Sequence, residues 1–594
     1  MAWAGWWHNE VGLLTEVASA RIATPTIQEK PDPSHSSSNA STQNDNQAPG
    51  AAEFVVDKGP TATLPAPTDT NPRAEYPRPW MGGTWRLRDI VDYELMATFA
   101  LFETAADRRE ALLRNIYDVN LNTIALGKEG QLGFSDAKKS FAALIPIEGQ
   151  QDQNEVIQLV EKLEMAGVNV KRAIKEFTQD GESYAAGTYV IPFDQVFARY
   201  AKDILEKQTY PEVHRTPNAP AEAPYDVSAW SLGMQFGVKT VFAGTPLAAD
   251  LAVEDVNTPP PMVLEASSTT HGWSFPYTGA ESAVVVNRLL KEGCNVTFGQ
   301  PHGDDPVRVY AAAKREAWKN AVAGFTVTVK PENNPVRPEV TGLALRMPRV
   351  GLYQSWTANI DEGWTRWILE QYEFPYKTLH NADIQGGQLR KDFDAIILPD
   401  QEERSILDGQ TEKAIKAGQS NEFIPTEYRG GIGDKGWKAL VDFVNQGGTL
   451  ISLGSASDLL IDKLPLPAID LKKTLSREQH YAPGTILSLQ VDTKNPIGFG
   501  MAPHTYGFYI NSPFFQLREG FSSQKVSVVA RFPNDEVNAS GWLRGEEYMR
   551  GRAAVISIEE NPGKLVLFGI RPQHRGQTHA TLPLLFNSLY WSVE

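Results

Sequence analysis

The feature that most constrains the fold is an alternation of short apolar runs with amphipathic ones after residue 348. "PRVGLYQSW" reads as a buried strand, and "TANIDEGWTRWILEQY" as a helix beginning near Asn359 or Asp361. "FDAIILPD" is a second strand and "KGWKALVDFVNQGG" a helix closed by glycines. "TLISLGSASDLLI" is a third strand that runs through a turn into a helix. Continuous apolar strands separated by helices need cover on both faces, so the pattern predicts a mostly parallel, doubly wound sheet. The texture is similar from about residue 136, where "FAALIPI" is strand-like and "NEVIQLVEKLEMAG" puts Val156, Leu159, Val160 and Leu163 on one helical face. Gly167 ends that helix, and "VNVKRA" resumes a strand. Further on, Gly181 and Gly187 read as turn residues. The proline-rich "FTVTVKPENNPVRPEVTG" then suits a connection between domains. No period of repeat length is evident, which argues against a solenoid.

Upstream of this α/β texture, "HNEVGLLTEVASARIATP" places Glu16 within a run that otherwise reads as a buried strand. An ionised carboxylate buried without a partner costs several kcal/mol, so the position calls for a partner, a metal or a pocket mouth. Residues 31–79 are rich in Ser, Asn, Gln, Pro and Thr and read as a flexible, exposed insertion, because they cannot bury enough apolar area to offset ordering entropy. Order resumes at "WMGGTWRLRDIVDYELMATFALFETAADRREALLRNIYDVN". There Leu87, Val91, Leu95, Phe99 and Phe102 predict a long amphipathic helix packed on the preceding strand.

A chain of 594 residues is too long for one core. Its 72 acidic against 56 basic residues leave a net charge of −16 and no basic surface for phosphate backbones or anionic lipid, which excludes nucleic acid and membrane as expected partners. No apolar run reaches the ~18 residues of a membrane span. The opening "MAWAGWWHNEVGLL" lacks the basic leader and cleavage pattern of a signal peptide and reads as the interior of a domain. A single cysteine, Cys294, rules out an internal disulfide or a thiolate metal cluster and reads as a small buried residue.

"VGLLTEVASARIATP", followed by "PWMGGTWRLRDIVDYELMATFALFETAADRREALLRNIY", resembles the last part of the catalytic domain of bacterial zinc carboxypeptidases of the carboxypeptidase A type, over residues 1–130 apart from the insertion. The resemblance implies that Glu16 is the catalytic glutamate, taking a proton from a zinc-bound water and passing it to the leaving amine of a peptide or protein substrate. It also implies a secreted or periplasmic setting. The rival reading of Glu16 is an ion pair with Arg21 or Arg88. The family's zinc ligands, a histidine and a glutamate three positions apart with a distant histidine, precede its catalytic glutamate, whereas only His8 precedes Glu16 here. Among ten histidines, an acid follows three residues later only at His302 with Asp305 and His380 with Asp383, both read as surface loop residues. The chain therefore reads as the C-terminal portion of a longer protein. Zinc belongs to the complete parent, and no metal or other cofactor is expected in this chain.

Residues 348–594 resemble the class I glutamine amidotransferase-like fold, and residues 136–347 the middle region of the same bacterial proteins, best in "GESYAAGTYVIPFDQVFARYAKDILEKQTYP". In active amidotransferases the turn after the third strand carries a cysteine at a sharp elbow. Here the turn is "SLGSASDLL", with Ser455 nearest that position, and neither His574 nor His579 in "LFGIRPQHRGQTH" falls in register as its base. Asp361 and Glu362 read as complements to a helix N-terminus.

The expected architecture is thus multi-domain α/β. Residues 1–135 are the end of a carboxypeptidase-type mixed α/β sheet domain, with 31–79 inserted; 136–347 form an α/β middle domain; and 348–594 form a doubly wound amidotransferase-like sheet. The expected function is that of a zinc metallocarboxypeptidase-like protein lacking its zinc-ligand segment and inactive alone. The alternatives are a non-catalytic binding or accessory module and a serine-dependent hydrolase using Ser455.

Overall fold

A computed structural model describes residues 4–17, 25–31, 63–74, 76–133, 138–217, 219, 221–256, 263–264, 272–301, 306–332, 342–357, 359–409, 428–518 and 525–594. The chain divides into two compact units, one of residues 1–122 with 408–431 and the other of residues 123–407 with 432–594.

In the first unit, Thr26–Gln28 pairs parallel with Thr63–Leu64 and antiparallel with Gly83–Trp85. The helix expected from the apolar spacing forms over Leu87–Asp107. Its capping box joins Arg86 and Asp89, the Arg86 backbone N–H donating to the Asp89 carboxylate at 2.7 Å. Among the described residues it buries none of its own, and Met96, Phe99 and Phe102 are each more than 60% exposed, so no described strand supplies the expected packing. The strands of this unit are two or three residues long and offer no broad face. Residues 11–17 form no strand either. Val11, Leu13 and Leu14 are exposed, as is Glu16, because a strand needs a neighbour to pair with and none of the described strands pairs with this run. Most of the polar insertion lies outside the described residues.

The second unit holds three principal sheets. Ala142–Ile145, the "FAALIPI" strand, lies between Tyr189–Pro192 and Val241–Ala243 in a five-stranded antiparallel sheet that Lys171–Ala173 and Val253–Asp255 complete. Helix Gln153–Met165 covers this sheet with Val156, Leu159, Val160 and Leu163, and Gly167 follows it at φ +79°. Asp180 and Gly181, both at positive φ, form the two-residue turn of the hairpin Phe177–Gln179 and Glu182–Tyr184. The second sheet has six strands between Val263 and Leu345. Helix Glu281–Lys291 packs in the same core as helix Arg315–Val322, whose Trp318 is fully buried edge-to-face against Phe275.

The third sheet confirms the doubly wound expectation and extends it. Tyr376–Leu379, Val350–Tyr353, Ala395–Leu398, Thr449–Leu453 and Lys564–Phe568 lie side by side and parallel. Ala553–Glu559, Lys525–Arg531, Thr485–Val491 and His504–Tyr509 continue it antiparallel. Alternate residues of the parallel strands feed opposite faces, as a period of two requires. Ile397 and Ile451 pack with Ile368 of helix Ile360–Gln371 and Leu585 of helix Leu582–Trp591. Ile396 and Leu450 pack with Leu440 of helix Gly433–Asn445 and Leu459 of helix Ala456–Lys463. The molecule is thus a multi-domain α/β protein with no closed barrel among the described residues. Cys294 is half-buried against the larger of these cores, and burial pushes its thiol pKa up, consistent with a packing role.

Candidate functional site

The turn after Thr449–Leu453 has the geometry of an elbow but not its chemistry. Gly454 takes φ +52°, and a Cβ there would meet the Asp400 carboxylate at 2.6 Å. The Ser455 backbone N–H donates to Asp400 Oδ1 at 2.7 Å, which ties the turn to the end of the neighbouring strand. Asp400 is held in turn by Arg571, whose Nη2 lies 2.5 Å from Oδ2, and Arg571 also donates to Asp361 Oδ2 at 3.0 Å. Among the described residues no side chain hydrogen-bonds the Ser455 hydroxyl. His574 is buried flat against Phe508, ring centroids 3.8 Å apart, and burial drives its pKa well below the ordinary value.

Asn359 caps helix Ile360–Gln371 by accepting from the Asp361 and Glu362 backbone N–H groups. Both acids fall in its first turn, and each also has a cationic partner: Asp361 pairs with Arg571, and Glu362 Oε1 accepts from Arg366 at 2.6 Å. Burial lifts Asp361 to about 6 against the opposing pull of Arg571. His380 caps its own helix, its backbone N–H donating to Asp383 Oδ2 at 2.9 Å, whereas His302 and Asp305 lie outside the described residues.

A second constellation gathers in the same unit from residues far apart in the chain. Asp152 caps helix Gln153–Met165, accepting from the Asn154 backbone N–H at 2.9 Å, and one turn along the same face Glu155 points inward. Glu281 opens helix Glu281–Lys291 and accepts from Gln158 Nε2 at 2.7 Å. His579 lies in the short helical turn before helix Leu582–Trp591. It is stacked on Phe236 with centroids 4.0 Å apart, and its Nδ1 shares a 2.7 Å hydrogen bond with Glu155 Oε2. One donor atom from each of Glu155, Glu281 and His579 lies within 4.8 Å of the other two. All three residues and Asp152 are more than nine-tenths buried. Asp152 Oδ2, Glu155 Oε1 and Glu281 Oε2 have no hydrogen-bond partner.

Removal from water is the largest influence on each of these groups. Burial, aided by the neighbouring acids, raises Asp152 and Glu155 to about 8 and Glu281 well above its usual value, and burial lowers His579. Both shifts favour the uncharged forms of Glu155 and His579. A cavity of about 280 Å³ adjoins it, lined by Asp152, Glu155, His579, Phe236, Thr505 and Tyr506 among others. Gly279, at φ +67°, lets the chain pass against Asp152, since a Cβ there would sit 2.1 Å from Oδ2.

Glu16 is exposed and belongs to no such cluster; among the described residues, only Glu155, Glu281 and His579 meet the spacing of a metal-binding triad. Of its alternative ion-pair partners, Arg88 pairs with Asp92 at 2.8 Å, and Arg21 lies outside the described residues. Sequence reasoning missed the buried triad. Its available signal was Glu155, four residues before Leu159 and so on the apolar face of a helix whose pattern was otherwise clear.

The sequence matches no protein-family model, and no curated protein matches it. Solved structures with local likeness include a putative ThuA-like protein from Bacteroides uniformis, at 11% identity over 42% of this chain and 91% of that one, with a TM-score of 0.24. A glutamine amidotransferase from Thermotoga maritima gives 10% identity over 42% and 99% of the two chains, with a TM-score of 0.25. A beta-galactosidase from Bacillus circulans gives 9% identity over 41% and 31%, with a TM-score of 0.23. At such scores these likenesses add nothing to the strand order described above.

Proposed function

We propose that this chain acts as a non-catalytic binding or accessory module, with its C-terminal α/β sheet as scaffold and no hydrolytic centre at the Ser455 elbow. The observation that carries this reading is the Asp400 carboxylate on the Ser455 N–H, clamped by Arg571. A serine nucleophile needs a base at its hydroxyl and open donors for the oxyanion. Among the described residues no base meets the Ser455 hydroxyl, and the turn that carries it is fixed by Asp400 and Arg571. The carboxypeptidase-like stretch around Glu16 fits the same reading as inherited sequence: its glutamate is exposed and stands apart from the buried triad. On this reading the residues around Glu16 carry out no peptide hydrolysis.

Incubation with a serine-reactive fluorophosphonate, alongside a carboxypeptidase assay on short peptides with added zinc, tests the proposal. Expected are an unlabelled Ser455 and no release of C-terminal residues. Stoichiometric labelling that disappears in Ser455→Ala, or peptide turnover that disappears in Glu16→Gln, would overturn it.

A further inference from the structure

The buried triad raises a question that the elbow does not: why three carboxyl groups and an imidazole converge where each costs desolvation energy. Interior acids are ordinarily paired with an arginine or lysine, as Asp394 is with Arg346, Arg349 and Arg390 in this molecule. No such cation pairs with Asp152, Glu155 or Glu281 among the described residues. Their polar company is one another, with Glu155 beside Glu281 and His579, together with Asn154 at Asp152 and Gln158 with Tyr372 at Glu281. Among the described residues, one oxygen each of Asp152, Glu155 and Glu281 has no further protein donor. Asp152 and Glu155 also line an adjoining cavity, which gives the cluster a route to solvent species. Two carboxylates and one imidazole, with donor atoms within 4.8 Å of one another, are a set of hard oxygen and borderline nitrogen ligands at a separation that one ion can bridge.

We propose that Glu155, Glu281 and His579 bind a single divalent cation of the zinc or manganese class, with the partnerless Asp152 Oδ2 beside the cavity orienting water or a further ligand on the open side. The carboxylates would bind through oxygen and the imidazole through a ring nitrogen lone pair. Two carboxylates then neutralise the dication, so the occupied site carries no net charge into the interior. The three ligands come from helix Gln153–Met165, helix Glu281–Lys291 and the turn before helix Leu582–Trp591, so the ion would tie together the segments that cover the three sheets. This replaces the expectation of a metal-free chain drawn from the spacing around Glu16. It is also independent of the Ser455 reading: labelling of Ser455 would sink that proposal and leave the metal count untouched.

The test uses the full chain, stripped with a chelator and then dialysed against Zn²⁺ or Mn²⁺, with Mg²⁺ as a hard-ion control. Expected are about one retained Zn²⁺ or Mn²⁺ per chain by elemental analysis and a rise in melting temperature with added ion. Both Glu281→Gln and His579→Gln should lower retention at least tenfold while keeping the circular dichroism of the metal-free parent. No retained ion and no thermal shift in the wild type would overturn the proposal, as would retention that survives both substitutions. If neither variant folds, the wild-type ion count and thermal shift decide, and a chain that retains no ion and melts unchanged refutes the assignment.

Discussion

Replacing Arg571 by methionine isolates the clamp that closes the elbow. The guanidinium spans Asp361 and Asp400, whose side chains are only 11% and 5% exposed. Methionine fills much of the same volume, so the change removes charge and hydrogen bonds more than packing. Breaking a buried pair by deleting one partner costs about 3–5 kcal/mol, and the partial exposure of Arg571 places this case near the lower end, about 3 kcal/mol. For a domain of this size that is a fall in melting temperature of about 6–12 °C. The pH dependence sharpens the test. Asp361 already titrates at about 6 because burial raises it while Arg571 and Arg575 pull it down. Without Arg571 it climbs further, and Asp400 faces it uncompensated. A folded-state carboxyl raised above its unfolded value holds a proton that the unfolded chain has released, so stability falls as pH rises from about 4 through the raised value. The deficit of Arg571→Met should therefore be full at pH 8 and clearly smaller at pH 5. Thermal melts followed by circular dichroism at both values measure it. A loss below about 2 °C at pH 8, or a deficit that grows on acidification, would refute the clamp.

Two further outcomes follow from the same kind of reasoning. Burial alone would raise the Asp394 carboxyl, but hydrogen bonds from Arg346 and Arg349 hold it well below the usual range, so its contribution is present above pH 4 and is lost as pH falls below that; Asp394→Asn should cost about 2 kcal/mol at pH 7 and flatten the acid limb of a pH–stability curve. Glu16→Gln should leave the melting temperature within about 1 °C of the parent, since an exposed side chain without a partner contributes within about 0.5 kcal/mol, and a large loss would restore the ion-pair reading.

Legibility from sequence divided along the range of the interactions. The strands Val350–Tyr353, Ala395–Leu398 and Thr449–Leu453 and helix Gln153–Met165 were readable because periodicity is a local signal and burial enforces it. The antiparallel pairing of Ala142–Ile145 was not, because strand direction depends on which distant segment arrives beside it. The apolar stripe on helix Leu87–Asp107 was read correctly as a stripe, but a stripe does not reveal what covers it, and here its residues stay exposed. Glu16 misled for the converse reason, since an apolar run around a carboxylate implies burial only where a partner strand exists. The triad was invisible because Glu155, Glu281 and His579 follow no motif spacing; their convergence is a product of three sheets packing, with 424 positions between Glu155 and His579.

That separation has a consequence for the order in which the molecule can be completed during synthesis. The five-stranded sheet and its helix leave the ribosome early, yet the imidazole that meets Glu155 lies 424 residues further along. At about 5–20 residues per second, the acid waits roughly 20–85 s for it. The later sheets wait as well: Tyr590 donates to Asn287 at 2.9 Å and Tyr277 to Asn587 at 2.9 Å, so the final helix also locks the six-stranded sheet. The five-stranded sheet needs no such wait to pack its helix, since its core is made of residues before 257. The six-stranded sheet, whose core includes Leu585, Phe586 and Tyr590, is completed only when that helix is made.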